Sequence, residues 1–126
     1  MRADCHMHTY FSGDSEAKPE DMVLAAIDKG LEAICFTDHE DIDYFCDDIE
    51  FVFDPETYFK ELGALKEKYK EKLDIRIGVE FGLQPHLAKK AKAFTTAYPY
   101  DFVIGSMHVV GGKDPYYPEF FEGISD

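Results

Sequence analysis

Four short apolar runs in this chain each stop at a residue type that binds metal ions, and that regularity narrows the fold more than any other feature. Ala3-Asp4-Cys5 runs into His6-Met7-His8, and Ala33-Ile34-Cys35-Phe36 runs into Thr37-Asp38-His39. Ile75-Arg76-Ile77-Gly78-Val79 ends in Glu80, and Phe102-Val103-Ile104-Gly105-Ser106-Met107 ends in His108. The second and fourth runs lack polar alternation, which is the pattern of parallel strands covered by helices. Arg76 makes the third less regular. Where a strand ends and the chain coils away, a His-x-His pair can converge on one ion. One histidine after a strand means little; four successive strands finishing this way need a common cause.

Helical periods separate the runs. Pro19 suits a first helical position, with Glu20 and Asp21 in the favourable first turn, Val23, Ala26 and Ile27 on one stripe, and Gly30 as the stop. Asp54 reads as the N-cap of a second helix and Pro55 as its first residue; Tyr58, Phe59, Leu62, Leu65 and Tyr69 form its apolar face. Pro85 opens a third, carrying Leu87, Ala88, Ala91 and Phe94. Strands alternating with helices predict an α/β fold, a parallel sheet with right-handed crossovers. In such folds catalytic groups gather at the carboxyl ends of the strands. His6, His8, His39, Glu80 and His108 fall at that end. No repeat, low-complexity tract or linker divides the chain, so residues 1–126 are expected to form a single domain.

Composition limits the partners. A chain of 126 residues, 45% hydrophobic and 15% aromatic, can bury a core of its own. A formal net charge of −13 repels nucleic acid phosphates. The basic stretches Lys66 to Lys72 and Lys89 to Lys92 lie on predicted helices and read as solvated faces. Cys5, Cys35 and Cys46 lack C-x-x-C spacing and read as reduced thiols of a cytoplasmic protein, Cys5 and Cys35 packed inside strands. No basic-then-apolar leader occurs, and no apolar run approaches the roughly 18 residues of a membrane span. The expectation is a soluble cytoplasmic protein without membrane contact.

Neutral imidazole together with carboxylate suits Zn, Mn or Fe, whereas Ca and Mg prefer all-oxygen shells. Glu80, at the end of an apolar strand, is otherwise a desolvated anion in need of a partner, and its two oxygens could bridge two ions. Asp14, in Ser12-Gly13-Asp14-Ser15, is either a ligand or a turn or helix-capping residue. Asp38 either orients its neighbour His39 by hydrogen bonding or caps a turn. His86, in Gln84-Pro85-His86, is either a solvent-facing helix residue or a substrate contact on the same rim. The long connection from His39 to Pro55 holds Glu40, Asp41, Asp43, Asp47, Asp48, Glu50 and Asp54, interleaved with Tyr44, Phe45, Phe51 and Phe53. It is either a lid over the site or a solvated loop. There is no G-x-S-x-G nucleophile, and Gly111-Gly112-Lys113 lacks P-loop spacing. What remains is metal-assisted hydrolysis, in which ions activate water and neutralise charge on the transferring group.

With these residues on the page, the chain resembles the PHP family, named for polymerase and histidinol phosphatase. That family carries H-x-H after strand one, T-D-H after strand two, Glu after strand three and His after strand four. Here they stand as His6-Met7-His8, Thr37-Asp38-His39, Glu80 and Ser106-Met107-His108. Gly78-Val79-Glu80-Phe81-Gly82 and Phe120-Phe121-Glu122-Gly123 resemble the histidinol-phosphatase branch, and the likeness covers nearly the whole chain. It implies a distorted (β/α)7 TIM-like barrel with two or three divalent ions, Zn, Mn or Fe. His6, His8 and Glu80 would hold one ion, Glu80 and His108 a second, and Asp14 with His39 a third. The implied activity is hydrolysis of a small phosphorylated substrate, L-histidinol phosphate, in histidine biosynthesis.

Members of that branch are much longer, and their later strands supply a further His, an Asp-x-His and a phosphate-binding Arg. The expectation is therefore the N-terminal half of a barrel, with weak metal sites and an open side that favours a homodimer. A PHP-type nuclease or proofreading domain and a non-catalytic metal-binding remnant are the alternatives. The charge of −13 counts against the nuclease.

Overall fold

The structure, a computed structural model, describes residues 1–45 and 51–123. Cys46 and the acids Asp47, Asp48 and Glu50 of the long connection lie outside the described residues. The strands are β1 (Ala3–Met7), β2 (Ala33–Phe36), β3 (His39–Glu40), β4 (Asp74–Gly82) and β5 (Phe102–Ser106). The helices are α1 (Pro19–Asp28), α2 (Pro55–Lys68) and α3 (Ala88–Ala97). Every ladder is parallel: β1 on β2, β2 and β3 on β4, and β4 on β5. Spatial order thus follows chain order, with a helix between successive sheet positions, as in the opening units of a parallel barrel.

The extra strand β3 is a continuation. Ala33 to Phe36 pair with Asp74 to Ile77, and His39 and Glu40 then pair with Glu80 and Phe81 in the same register. At the break, Thr37 donates its N–H sideways to the Met7 carbonyl at 2.8 Å, while the Asp38 carbonyl still accepts from Glu80 N–H at 2.9 Å. One strand is therefore shared between two neighbours. A two-residue extension has no period for a sequence to reveal.

The helix ends follow local chemistry. Gly30, at φ 73°, lets its own N–H reach Ile27 O and that of Leu31 reach Ala26 O, both at 3.0 Å, closing α1. The Asp54 carboxylate accepts from Thr57 N–H at 3.2 Å and so caps α2 ahead of Pro55. The third helix departs from expectation. Pro85–Leu87 form a 3-10 turn, α3 begins only at Ala88, and of the predicted stripe Leu87 alone is buried.

The core lies between α1, α2 and one face of β2 and β4, with Val23, Ala26, Ile34, Phe36, Tyr58, Leu62, Leu65, Ile75 and Ile77 at its centre. Full burial of such apolar side chains contributes roughly 1.5–3 kcal/mol each. On the other face Ala3, Cys5, Ala33, Cys35 and Phe102 line a shallow concavity. Cys5, expected inside its strand, is exposed, because no described residue covers β1 on this side. Cys35 is buried, and burial pushes its thiol up to about 12. Lys66, Lys68, Lys70, Lys72, Lys89, Lys90 and Lys92 are all exposed, as solvated faces require. Among the described residues no helix is long and apolar enough to cross a membrane.

Candidate metal centre

The His-x-His pair converges at the end of its strand: His6 lies in β1, and His8 follows Met7, the last residue of β1. β1 holds one residue more than β2 between two pairings, Asp4 beside Ile34 and Met7 beside Phe36. Such a bulge re-aims side chains. Met7 packs against the helix-covered core, and its neighbours His6 and His8, two apart in extended backbone, meet with Nε2 atoms 3.1 Å apart. Convergence therefore combines the bulge within β1 with the end of the strand at Met7, where the sequence places it.

Glu80 likewise sits inside a strand, two residues short of the end of β4. Val79 and Phe81 are buried apolar neighbours, so alternation turns Glu80 to the opposite face. Its Oε2 lies 2.8 Å from Nε2 of both His6 and His8 and 3.7 Å from Nε2 of His39. Its Oε1 lies 3.0 Å from Nε2 of His108. Burial alone would raise this carboxyl; hydrogen bonds from His108, His8 and His6 outweigh it and hold the group well below the usual carboxylate range. In return the Glu80 hydrogen bond raises His8 against the opposing effect of burial, and Asp41 followed by Glu80 pushes His108 up to about 10. A buried anion ringed by imidazoles is a setting in which a divalent cation can replace the ring protons.

The loop after β1 delivers Asp14. Asp38, fully buried, accepts from Thr9 N–H, from the Thr9 hydroxyl and from the Ser12 hydroxyl at 2.8 Å, while Ser12 Oγ accepts from His39 N–H at 2.8 Å. Burial raises Asp38 against those hydrogen bonds. Of the two alternatives for Asp38, the contacts are those of a carboxylate that caps the Thr9–Ser12 turn, and it meets the backbone of His39 only through Ser12. The loop so held places Asp14 Oδ2 3.1 Å from His8 Nδ1 and 3.2 Å from His39 Nε2. Asp14 caps no helix, because α1 starts after Lys18.

Three donor groups result: His6-His8-Glu80, His8-Asp14-His39 and His39-Glu80-His108, each with its ligand atoms within 4.8 Å of one another. Around an ion bound at about 2.0–2.1 Å, neighbouring donors stand about 2.8–3.0 Å apart in an octahedral shell and about 3.3–3.4 Å apart in a tetrahedral one. The nitrogen-to-oxygen distances in these groups run from 2.8 to 3.2 Å, apart from His39 Nε2 to Glu80 Oε2 at 3.7 Å. Nitrogen and carboxylate donors at that spacing fit a borderline divalent metal such as zinc.

Two residues of the acidic stretch after His39 are buried beside the cluster, Glu40 and Asp41. Asp41 is 5% exposed, with Oδ2 3.0 Å from His39 Nδ1 and Oδ1 2.7 Å from His108 Nδ1. Burial raises it, but His108 and His39 together leave it lowered. The available signal was its position two residues after His39, on the same side of an extended chain. Glu40 is also buried, beneath Phe53 N–H at 3.0 Å. His86 stands apart from this cluster: its Nε2 pairs with Asp43 Oδ2 at 2.9 Å, and its side chain remains 58% exposed. A cavity of about 430 Å³ adjoins the cluster, lined by Asp14, His39, Asp41 and His108 together with the aromatic rings of Tyr44, Phe51, Tyr116 and Tyr117. Tyr44 donates to Asp114 at its edge, at 2.5 Å.

A family model described as PHP domain matches residues 4–125. A histidinol-phosphatase of Lactococcus lactis is 37% identical over 115 residues, taking in 91% of this chain and 42% of that protein. A relative from Clostridium acetobutylicum is 37% identical over 116 residues, 92% of this chain and 43% of its own length. The crystal structure of the histidinol phosphate phosphatase of Lactococcus lactis, complexed with zinc, L-histidinol and phosphate, matches with a TM-score of 0.91 at 36% identity. That match covers 98% of this chain and 47% of that one. The chain spans less than half the length of each of these proteins.

Proposed function

The chain belongs to the PHP family, and from that membership we propose that it carries the metal-binding half of a phosphomonoesterase that converts L-histidinol phosphate to L-histidinol and phosphate in histidine biosynthesis. The observation that carries this reading is the convergence of His6, His8, Asp14, His39, Glu80 and His108 beside an aromatic-walled cavity of small-molecule size. The zinc, L-histidinol and phosphate bound by the Lactococcus protein support it.

Two or three divalent ions, zinc first and manganese or iron in its place, would be held by His6, His8 and Glu80, by His39, Glu80 and His108, and by Asp14 with His39. When bound, such ions activate water near neutral pH and neutralise charge on the transferring phosphoryl group. The protein's part is placement. Glu80 faces different imidazoles with its two oxygens and so fixes the spacing of two donor groups. Tyr44, Phe51, Tyr116 and Tyr117 offer apolar surface to the organic part of the substrate; His86, paired with Asp43 outside that lining, would meet substrate only at the outer rim. Arg76 is paired with Asp74 in the first half of β4, and Arg2 precedes β1, so neither arginine is placed to take the phosphate.

The same reading makes residues 1–126 a single domain of a cytoplasmic protein. Its charge of −13 keeps nucleic acid away, and its open sheet favours a homodimer. Phosphate release from histidinol phosphate and degradation of single-stranded DNA, each with added zinc or manganese, test the proposal. Turnover of histidinol phosphate alone is expected. DNA degradation would make the chain a nuclease or proofreading domain, and retained metal without either activity would make it a metal-binding remnant. Elemental analysis after dialysis should give less than one ion per site, and His6→Ala or Glu80→Ala should lower uptake more than His86→Ala.

A further inference from the structure

We infer that Asp41 is a positioning residue that sets two metal-binding imidazoles at once, accepting Nδ1–H of His39 on one carboxylate oxygen and Nδ1–H of His108 on the other. The inference rests on the metal-centre reading above and extends it to a residue outside the expected ligand set. A neutral imidazole has a single ring proton, and the partner on one nitrogen decides where that proton stays. A carboxylate at Nδ1 keeps it there and leaves the lone pair on Nε2. In both histidines Nε2 is the atom that faces other donors: His39 Nε2 lies 3.2 Å from Asp14 Oδ2, and His108 Nε2 lies 3.0 Å from Glu80 Oε1.

The surroundings hold Asp41 to this task. Its backbone N–H donates to Phe51 O at 2.6 Å, and its side chain is almost fully enclosed. A Cβ at residue 82 would fall 1.8 Å from Asp41 Oδ1, so the glycine there leaves the space the carboxylate fills. His39 belongs to two donor groups and His108 to one of them, so Asp41 links the occupancy of both. An amide cannot replace the carboxylate. Its oxygen accepts from one imidazole, but its NH₂ must donate to the other, which moves that ring's proton to Nε2 and removes a ligand lone pair.

The test compares the full chain with Asp41→Asn and Gly82→Ala, using zinc alone as the probe. Long-range proton–nitrogen NMR should show Nδ1–H tautomers for His39 and His108 in the zinc-loaded chain, and a changed tautomer for at least one of them in Asp41→Asn. Calorimetry should show zinc affinity at least about tenfold weaker in both variants, the usual range for loss of a group that orients a ligand. Thermal midpoints of the metal-free proteins serve as the control for folding. Unchanged tautomers with affinity within twofold, in whichever variant folds, overturn the inference, as does a wild-type chain that takes up no zinc. Should the wild type bind zinc with both tautomers as stated yet release no phosphate from histidinol phosphate, the proposed substrate falls and the role of Asp41 stands.

Discussion

Glu80 and Glu40 are both buried glutamates near the same rim, yet their surroundings drive them in opposite directions. Glu80 is ringed by imidazoles and stays ionised. Among the described residues the Glu40 carboxylate has one hydrogen bond, from Phe53 N–H, which only partly offsets burial; with Asp41 adding to the effect, its carboxyl is pushed up to about 7. Its folded value lies above the ordinary 4.5, so its contribution to stability is fully present below about pH 4.5 and is lost as pH rises to about 7. Glu40→Gln keeps the acceptor for Phe53 and removes the charge. Denaturant unfolding of the metal-free chain should show the variant more stable at pH 8, by on the order of 3 kcal/mol, with little difference near pH 4. Equal stability of the two proteins at pH 8 would refute the account. The ligand types His6, His8, His39, Glu80 and His108 were legible because each closes an apolar run. Asp41 was not, since its burial depends on β3 and on the missing Cβ of Gly82, a residue from a different strand.

At the scale of elements, periodicity located all three helices but could not say how deeply each packs. α2 buries Tyr58, Leu62 and Leu65, whereas α3 buries nothing, although both repeat apolar residues at helical spacing. Burial depends on what lies on either side. α2 faces the centre of the sheet; α3 connects β4 to β5, whose outer face has little cover, with Phe102 47% and Val103 41% exposed. Local opening should follow that gradient. Amide hydrogen exchange is expected to be slowest in β2 and the adjoining part of β4, around Ile34, Phe36, Ile75 and Ile77. The amides of α3 should exchange far faster than those of α2. Equal protection of the two helices would mean that α3 is covered by something outside the described residues. The β1 bulge is a second feature of this scale that was hidden. It adds one residue to one strand relative to its neighbour, and only the pairing of two strands makes it visible.

At the scale of the molecule, the order of strands and helices gave the parallel architecture, because βα alternation permits few others. Closure is a different matter. β1 pairs only with β2, and β5 pairs only with β4, so among the described strands the sheet keeps two edges that a closed barrel would join. Each edge presents unpaired N–H and C=O groups, and Phe102, Val103, Met107 and Val110 add exposed apolar surface near the second. Opposing association is the formal charge of −13, which repels a second copy over a Debye length of about 10 Å at 0.1 M salt and about 3 Å at 1 M. The two effects respond oppositely to salt: screening removes the repulsion and leaves edge pairing and apolar contact intact. Sedimentation at micromolar concentration should therefore show a dimer whose share rises with protein concentration and rises further between low salt and about 0.5 M salt. If charge pairs across the interface held the copies together, salt would dissociate them instead. A monomer at every concentration and salt level would mean that the open edges are covered from within the chain.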